Sequence, residues 1–511
     1  MFCTILVHAN DGFPLLAARD PLTARLPQPV CLACILLVVT TISLHLFQRS
    51  PGNEYGRQHP GIYPINRTAG QPDSRTLEEI WSLIEASRAQ FCALSDNIWA
   101  TPELNYAEVQ SSAQIAAMLE QQGFRIERGM AGIPTAMVGE AGEGGPVIAI
   151  LGEYDALPGL SQQADVAEPR PVTAGGNGHG CGHNLLGSAA LQAASAVKDF
   201  FAARNLPGRV RFYGCPAEEG GSAKGFMVRA GVSDDVDIAI SWHPNAFSGV
   251  IEANSLACNE INYHFSGRAA HASASPHLGR SALDAVELMN VGVNYMREHM
   301  PSSVRIHYVV TDTGGHSPNV VQVRATVRYL IRARELSALQ QLVKRVDDIA
   351  AGAALMSETT VTSQVLSGDA NLIGNSLLEE RMQAHLELLG PPPFSEADRD
   401  YAARFQQTLS QDDLKSAYDR YGLPVDYHRP LCDFVLPLRR PYSDMVGSTD
   451  VGSVNWVVRP CRFTAPLMPS ARRATRGNWS RRAKPPSPTK AWPTPPRSWP
   501  VPPWICSRIP N

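Results

Sequence analysis

The chain has 511 residues, 44% of them hydrophobic and 18% charged, an ordinary balance for a soluble protein long enough to bury two or more cores. Its formal net charge of −3 is unevenly spread: no acidic residue follows Asp450, while 459–511 carries nine Arg and two Lys, leaving the remainder near −14. An acidic body argues against nucleic-acid binding by the folded part.

The ten cysteines are scattered, apart from Cys31 and Cys34, so they read as reduced thiols of an intracellular protein and not as a disulfide framework. Residues 1–75 form an N-terminal extension whose segment 30–47 is apolar and near the lower limit for spanning a bilayer. Nothing downstream needs this extension, which fits an over-extended start better than a signal peptide or anchor. A cytoplasmic location follows, with membrane anchoring through 30–47 as the alternative.

Helical apolar spacing predicts helices over 76–90, continuing toward Trp99, and over 108–122. The run PVIAIL at 146–151 predicts a buried parallel strand, and it ends in GEYDALP at 152–158. A Gly-rich loop leads to NGHGCGHN at 177–184, then to an Ala-rich helix over 185–204. Strands are predicted at 209–213, ending in GCPAEEGG, and at 236–241, ending in SWHPN. Alternating strands and helices predict an α/β layer with a largely parallel sheet, whose ligands gather beyond the carboxyl ends of the strands. Glu153, Asp155, Glu218, Glu219 and His243 all fall at such ends.

From 248 the texture changes. Strands over 257–265, 305–310, 320–331 and 359–364, with helices over 281–298 and 336–354, predict a smaller α+β domain inserted into the first. The division is therefore a catalytic part 76–247, an insert 248–368 and a returning catalytic part 369–458. The remainder, 459–511, is a quarter proline and carries four of the eight tryptophans without apolar periodicity. It reads as a disordered tail, and best of all as a segment translated in another frame.

Thiol, imidazole and carboxylate are the donors that hold borderline divalent metals. Amide hydrolysis needs an activated water, a polarised carbonyl and an acid for the leaving nitrogen. Adjacent glutamates divide that labour, one on a metal and one free as a base. Alternatives stay open: Glu218-Glu219 as a solvated acidic pair, Cys181 as an inert thiol or a nucleophile paired with His183, His243 as a core histidine. His179 sits nearby without a role of its own.

Together the four motifs GEYDALPGLSQ, NGHGCGHN, GCPAEEGG and SWHPN resemble the M20 metallopeptidase/amidohydrolase family over roughly 76–458. The resemblance implies a catalytic domain that binds two zinc or manganese ions, interrupted by a ferredoxin-like lid that forms a homodimer. It implies Cys181, His183, Glu219 and His243 as metal ligands, Glu218 as general base and Asp155 as the acid orienting a ligand. In the lid it implies His271 reaching a substrate across the dimer, with Asn319 and Arg332 holding the substrate's carbonyl and carboxylate. The substrate implied is an N-acyl or N-aryl amino acid resembling aminobenzoyl-glutamate, with a paralogous second subunit as a further partner. A dipeptidase of the same family is the runner-up. The chain departs from the family in one respect: no histidine follows His428, so the histidine ligand expected after GSTDVG (447–452) is missing. That leaves the second metal short of a ligand, and a third reading is then a non-catalytic binding subunit.

Overall fold

The computed structural model describes residues 74–466, except 165, 251–253, 393 and 439–446. The segment 30–47, Cys31, Cys34 and residues 467–511 lie outside the described residues. Among the described residues no helix is long and apolar enough to cross a membrane. They fall into two compact units, one comprising the chain up to Cys258, Arg334–Leu336 and the part from Asp369 onward, the other Asn259–Ala333 with Ser337–Gly368.

The first unit opens with α1 (Ser74–Ala100) and α2 (Val109–Gln121), followed by β1 (Arg125–Arg128), β2 (Met137–Glu143) and β3 (Val147–Glu153). Then come α3 (His183–Ala203), β4 (Gly208–Cys215), α4 (Ala223–Arg229), β5 (Ile238–Asn245) and β6 (Gly249–Val250). After the second unit, α7 (Ser376–Leu389), α8 (Glu396–Gln406), α9 (Gln411–Asp419), α10 (Val451–Asn455) and β11 (Arg459–Pro466) complete it. The seven strands lie in the order β1-β2-β4-β3-β5-β11-β6. The central four are mutually parallel, and β1, β2 and β6 join antiparallel.

β3 is buried along its whole length because apolar layers cover both faces of the sheet. On one face Ile148, Ile150, Phe212 and Ile240 pack with Ile84 and Phe91 of α1, Leu191 and Phe200 of α3 and Met382 of α7. On the other, Ala149, Leu151, Tyr213 and Ala239 meet Met227 of α4 and Val451 and Val454 of α10. Two findings depart from the sequence pattern. Met137–Glu143 carries no strand signal yet forms β2, paired over its full length with β4. The composition of 459–511 predicts a tail without order, yet Arg459–Pro466 forms β11 between β5 and β6. Pairing there uses backbone groups, which need no apolar period, while Val458 and Ala465 supply contacts to the two layers.

In the second unit, β7 (Ala257–Ser266), α5 (Ala282–Met296), β8 (Arg305–Asp312), β9 (Arg324–Ala333), α6 (Leu336–Met356) and β10 (Thr360–Asp369) form a sheet in the order β10-β7-β9-β8 with two helices on it. Both helices cover one face. Tyr329 of β9 donates to Asn290 of α5 and Tyr263 of β7 to Asp347 of α6, each at 2.6 Å, with the two rings edge to face. β9 begins at Arg324, later than the pattern over 320–331 predicts; Val320 makes only an isolated bridge to His271.

Candidate metal centre and catalytic site

Three strand ends and one helix start build the site. β3 delivers Glu153 and, just beyond it, Asp155; β5 delivers His243; the turn after β4 carries Glu218 and Glu219. Gly182 caps α3 at φ +80°, a left-handed conformation that glycine adopts without strain, and so sets Cys181 and His183 on either side of a sharp bend. Gly187 lets α3 sit directly on the end of β3: a Cβ there would lie 2.4 Å from the Glu153 carbonyl oxygen.

The cluster is tight. Cys181 Sγ lies 3.3 Å from His243 Nε2. His183 donates from Nδ1 to Asp155 Oδ1 at 2.8 Å, which turns its Nε2 toward Glu153 Oε2 at 3.3 Å, Glu219 Oε1 at 3.9 Å and Glu218 Oε2 at 4.0 Å. Asp155 Oδ2 accepts from the Glu219 backbone N–H at 2.8 Å, so one carboxylate ties the helix start to the acidic turn. His179 instead bonds the Ile98 carbonyl at 3.1 Å. The buried atoms His183 Nε2, Glu153 Oε2 and Glu219 Oε1 have no hydrogen-bond partner. Orphaned donors of this chemistry, gathered around one point, fit a divalent cation. Two three-membered groups have suitable spacing: Cys181 with His183 and His243, and Glu153 with His183 and Glu218. Distance alone does not separate Glu218 from Glu219.

Burial first, then the charges of Glu153 and Glu219, raise the Glu218 carboxyl well above its ordinary range, and burial raises Glu219 as well. Burial and Glu219 push the Cys181 thiol up, so it stays protonated and is a poor nucleophile without a cation. Burial and the charge of Arg462 lower His243 to about 3, which keeps it neutral and ready to donate a lone pair. Burial alone would lower His183, but Cys181 and Asp155 outweigh it and hold its pKa up.

Several buried residues around the cluster carry no sequence motif. Lys224 Nζ bridges Glu153 Oε1 at 2.7 Å and Asp450 Oδ1 at 2.6 Å, tying α4 to the N-cap of α10. Glu108 accepts from the Ala217 N–H at 2.9 Å and from Thr135 Oγ1 at 3.2 Å, bracing the turn before Glu218, where Ala217 has φ +55°. A lone lysine or glutamate in a sequence reads as surface; only the apolar flanks of Lys224 hint otherwise. Glu153 stands out in the sequence as a strand-end acid, but nothing there attaches a role to it.

The other sequence candidates belong to the second unit. His271 is exposed and accepts at Nδ1 from the Ser273 and Ala274 N–H groups. Ala272 donates to the Asn319 carbonyl at 2.9 Å, which brings His271 and Asn319 into adjacent loops. Arg332 is half-buried on β9, and its Nε has no partner.

The model of peptidase family M20/M25/M40 matches residues 149–418. The chain belongs to this family. It is 46% identical over 394 residues to a p-aminobenzoyl-glutamate hydrolase subunit of Escherichia coli K12, covering 74% of this chain and 82% of that protein. It is 30% identical over 336 residues to the mouse Xaa-Arg dipeptidase, covering 62% and 73%. Among solved structures, one from methicillin-resistant Staphylococcus aureus described as an aminohydrolase aligns with a TM-score of 0.53 at 16% identity, covering 76% of this chain and 89% of that one, a likeness of fold. As an M20 member the chain is a hydrolase of amide bonds, with an α/β unit carrying the cluster and a smaller α+β unit.

Proposed function

We propose that this M20 hydrolase cleaves the amide bond of N-acyl or N-aryl amino acids, with an aminobenzoyl-glutamate-like compound as its first-choice substrate. One observation carries the proposal: buried imidazole and carboxylate atoms without hydrogen-bond partners converge with the Cys181 thiol at the strand ends. The 46% identity to the E. coli hydrolase chain supports the choice of substrate. Cys181, His183, Glu219 and His243 would hold divalent ions, Zn or Mn, oriented by Asp155 through His183 and the Glu219 backbone. Ions bound there would supply a Lewis acid for the scissile carbonyl and acidify the attacking water. Glu218 takes the proton from water and returns it to the leaving nitrogen. Arg332 and Asn319 engage the substrate's carboxylate and carbonyl, and His271 acts across a homodimer. The exposed Leu288, Val291 and Tyr295 along α5 support self-association of the second unit. A paralogous second subunit is a further partner, in keeping with the name of the E. coli relative. The reaction takes place in the cytoplasm.

The likeness to the mouse enzyme favours a dipeptidase as second reading. The lack of any histidine after His428 favours a third, a binding subunit without turnover. Purified protein, analysed for metal and assayed with p-aminobenzoyl-glutamate and with an Xaa-Arg dipeptide, separates them. The expected result is turnover of the aryl amide that chelation abolishes. Bound metal without turnover of either substrate would support the third reading, and turnover that survives chelation would reject the metal mechanism.

A further inference from the structure

Glu153 lies outside the ligand set above, yet its geometry is that of a ligand. It is 1% exposed, and its two oxygens are in different circumstances. Oε1 is fixed by Lys224 Nζ at 2.7 Å, whereas Oε2 has no hydrogen-bond partner and faces His183 Nε2, itself unpartnered, at 3.3 Å. Two donors about 2.0–2.3 Å from one tetrahedral ion stand roughly 3.3–3.7 Å apart. The Glu153–His183 pair meets that spacing, and so, independently, does Cys181–His243 at 3.3 Å. The cluster thus contains two donor pairs at ligand spacing.

Resting on the metal-hydrolase reading, we infer that Glu153 is itself a metal ligand: it shares an ion with His183 and is aimed by Lys224. Lys224 acts as a positioning residue here. Its ammonium occupies one carboxylate oxygen, so only the other is free to turn toward His183.

The test is cobalt or zinc loading of the full chain, measured as ions per chain and, for cobalt, by the thiolate charge-transfer band of Cys181. Glu153→Gln keeps the size and a hydrogen bond to Lys224 but loses the charge. Its expected phenotype is an affinity for one ion weakened so far that the chain retains only one ion, with the thiolate band retained from it. A second variant, Glu153→Asp, keeps the ion pair while withdrawing the oxygen, and serves if the glutamine variant does not fold; the same weakening is expected. Wild-type loading in either folded variant overturns the inference. A wild-type chain that takes up no ion and shows no thiolate band would overturn the metal-hydrolase reading itself, a distinguishable failure.

Discussion

At the residue scale the site separates side chains that would hold ions from one that would move protons. Glu218→Gln preserves the shape of the acidic turn and removes only the base. Turnover should fall by about 10²–10⁴-fold while metal content stays at the wild-type value. A residual rate near wild type would reassign the base, and Glu219, at nearly the same distance from His183, is the residue to test next. Glu108 makes a different prediction. Burial, with help from the charge of Asp155, raises it from 4.5 to about 8. The folded state then binds this proton more tightly than the unfolded state, so stability falls as pH rises from 4.5 toward 8. Melting temperatures of the chelated protein across that range should decline for wild type and decline less steeply in Glu108→Gln, where Glu218 and Glu219, also raised by burial, still contribute. Parallel curves for the two proteins would remove Glu108 as the cause.

At the element scale, what the sequence reveals depends on where chemistry meets periodicity. The motif acids and histidines are legible because each follows an apolar strand, and strand ends in a parallel sheet share one mouth. Asp155, His183 and Glu219 meet there through two hydrogen bonds. Lys224 and Asp450 are not legible as a pair, since a contact between α4 and α10 spans more than two hundred residues and leaves no local pattern. β11 is hidden for another reason: composition near a chain end describes solvent preference, while backbone pairing to β5 is indifferent to it. The Lys224–Asp450 pair is fully buried, so breaking it leaves an ammonium with a single counter-ion. Asp450→Ala should destabilise the protein by about 3–5 kcal/mol, read from urea unfolding. A change under about 1 kcal/mol would mean that the pair is screened by water, as exposed pairs are.

At the scale of the whole molecule, the second unit interrupts the first in sequence but owns its own core. Ala285, Val286, Met289 and Val293 of α5 and Leu339, Leu342, Val346 and Ala350 of α6 are buried at helical spacing, and alternate residues of β9 are buried in turn. Those contacts are drawn from one nearly continuous stretch of chain, so folding it does not require the metal-bearing unit. A fragment of residues 259–368 should therefore fold alone. Its far-ultraviolet circular dichroism should show mixed helix and strand, and it should melt cooperatively with an enthalpy near the usual value of about 0.7 kcal/mol per residue. With the side chains of α5 uncovered, it should also sediment above its monomer mass at high concentration, and replacing Val291 and Tyr295, both exposed, with lysine should return it to monomer. A fragment that melts without cooperativity would show that the insert borrows stability from the unit it interrupts, and would move the folding boundary away from the one drawn by its contacts.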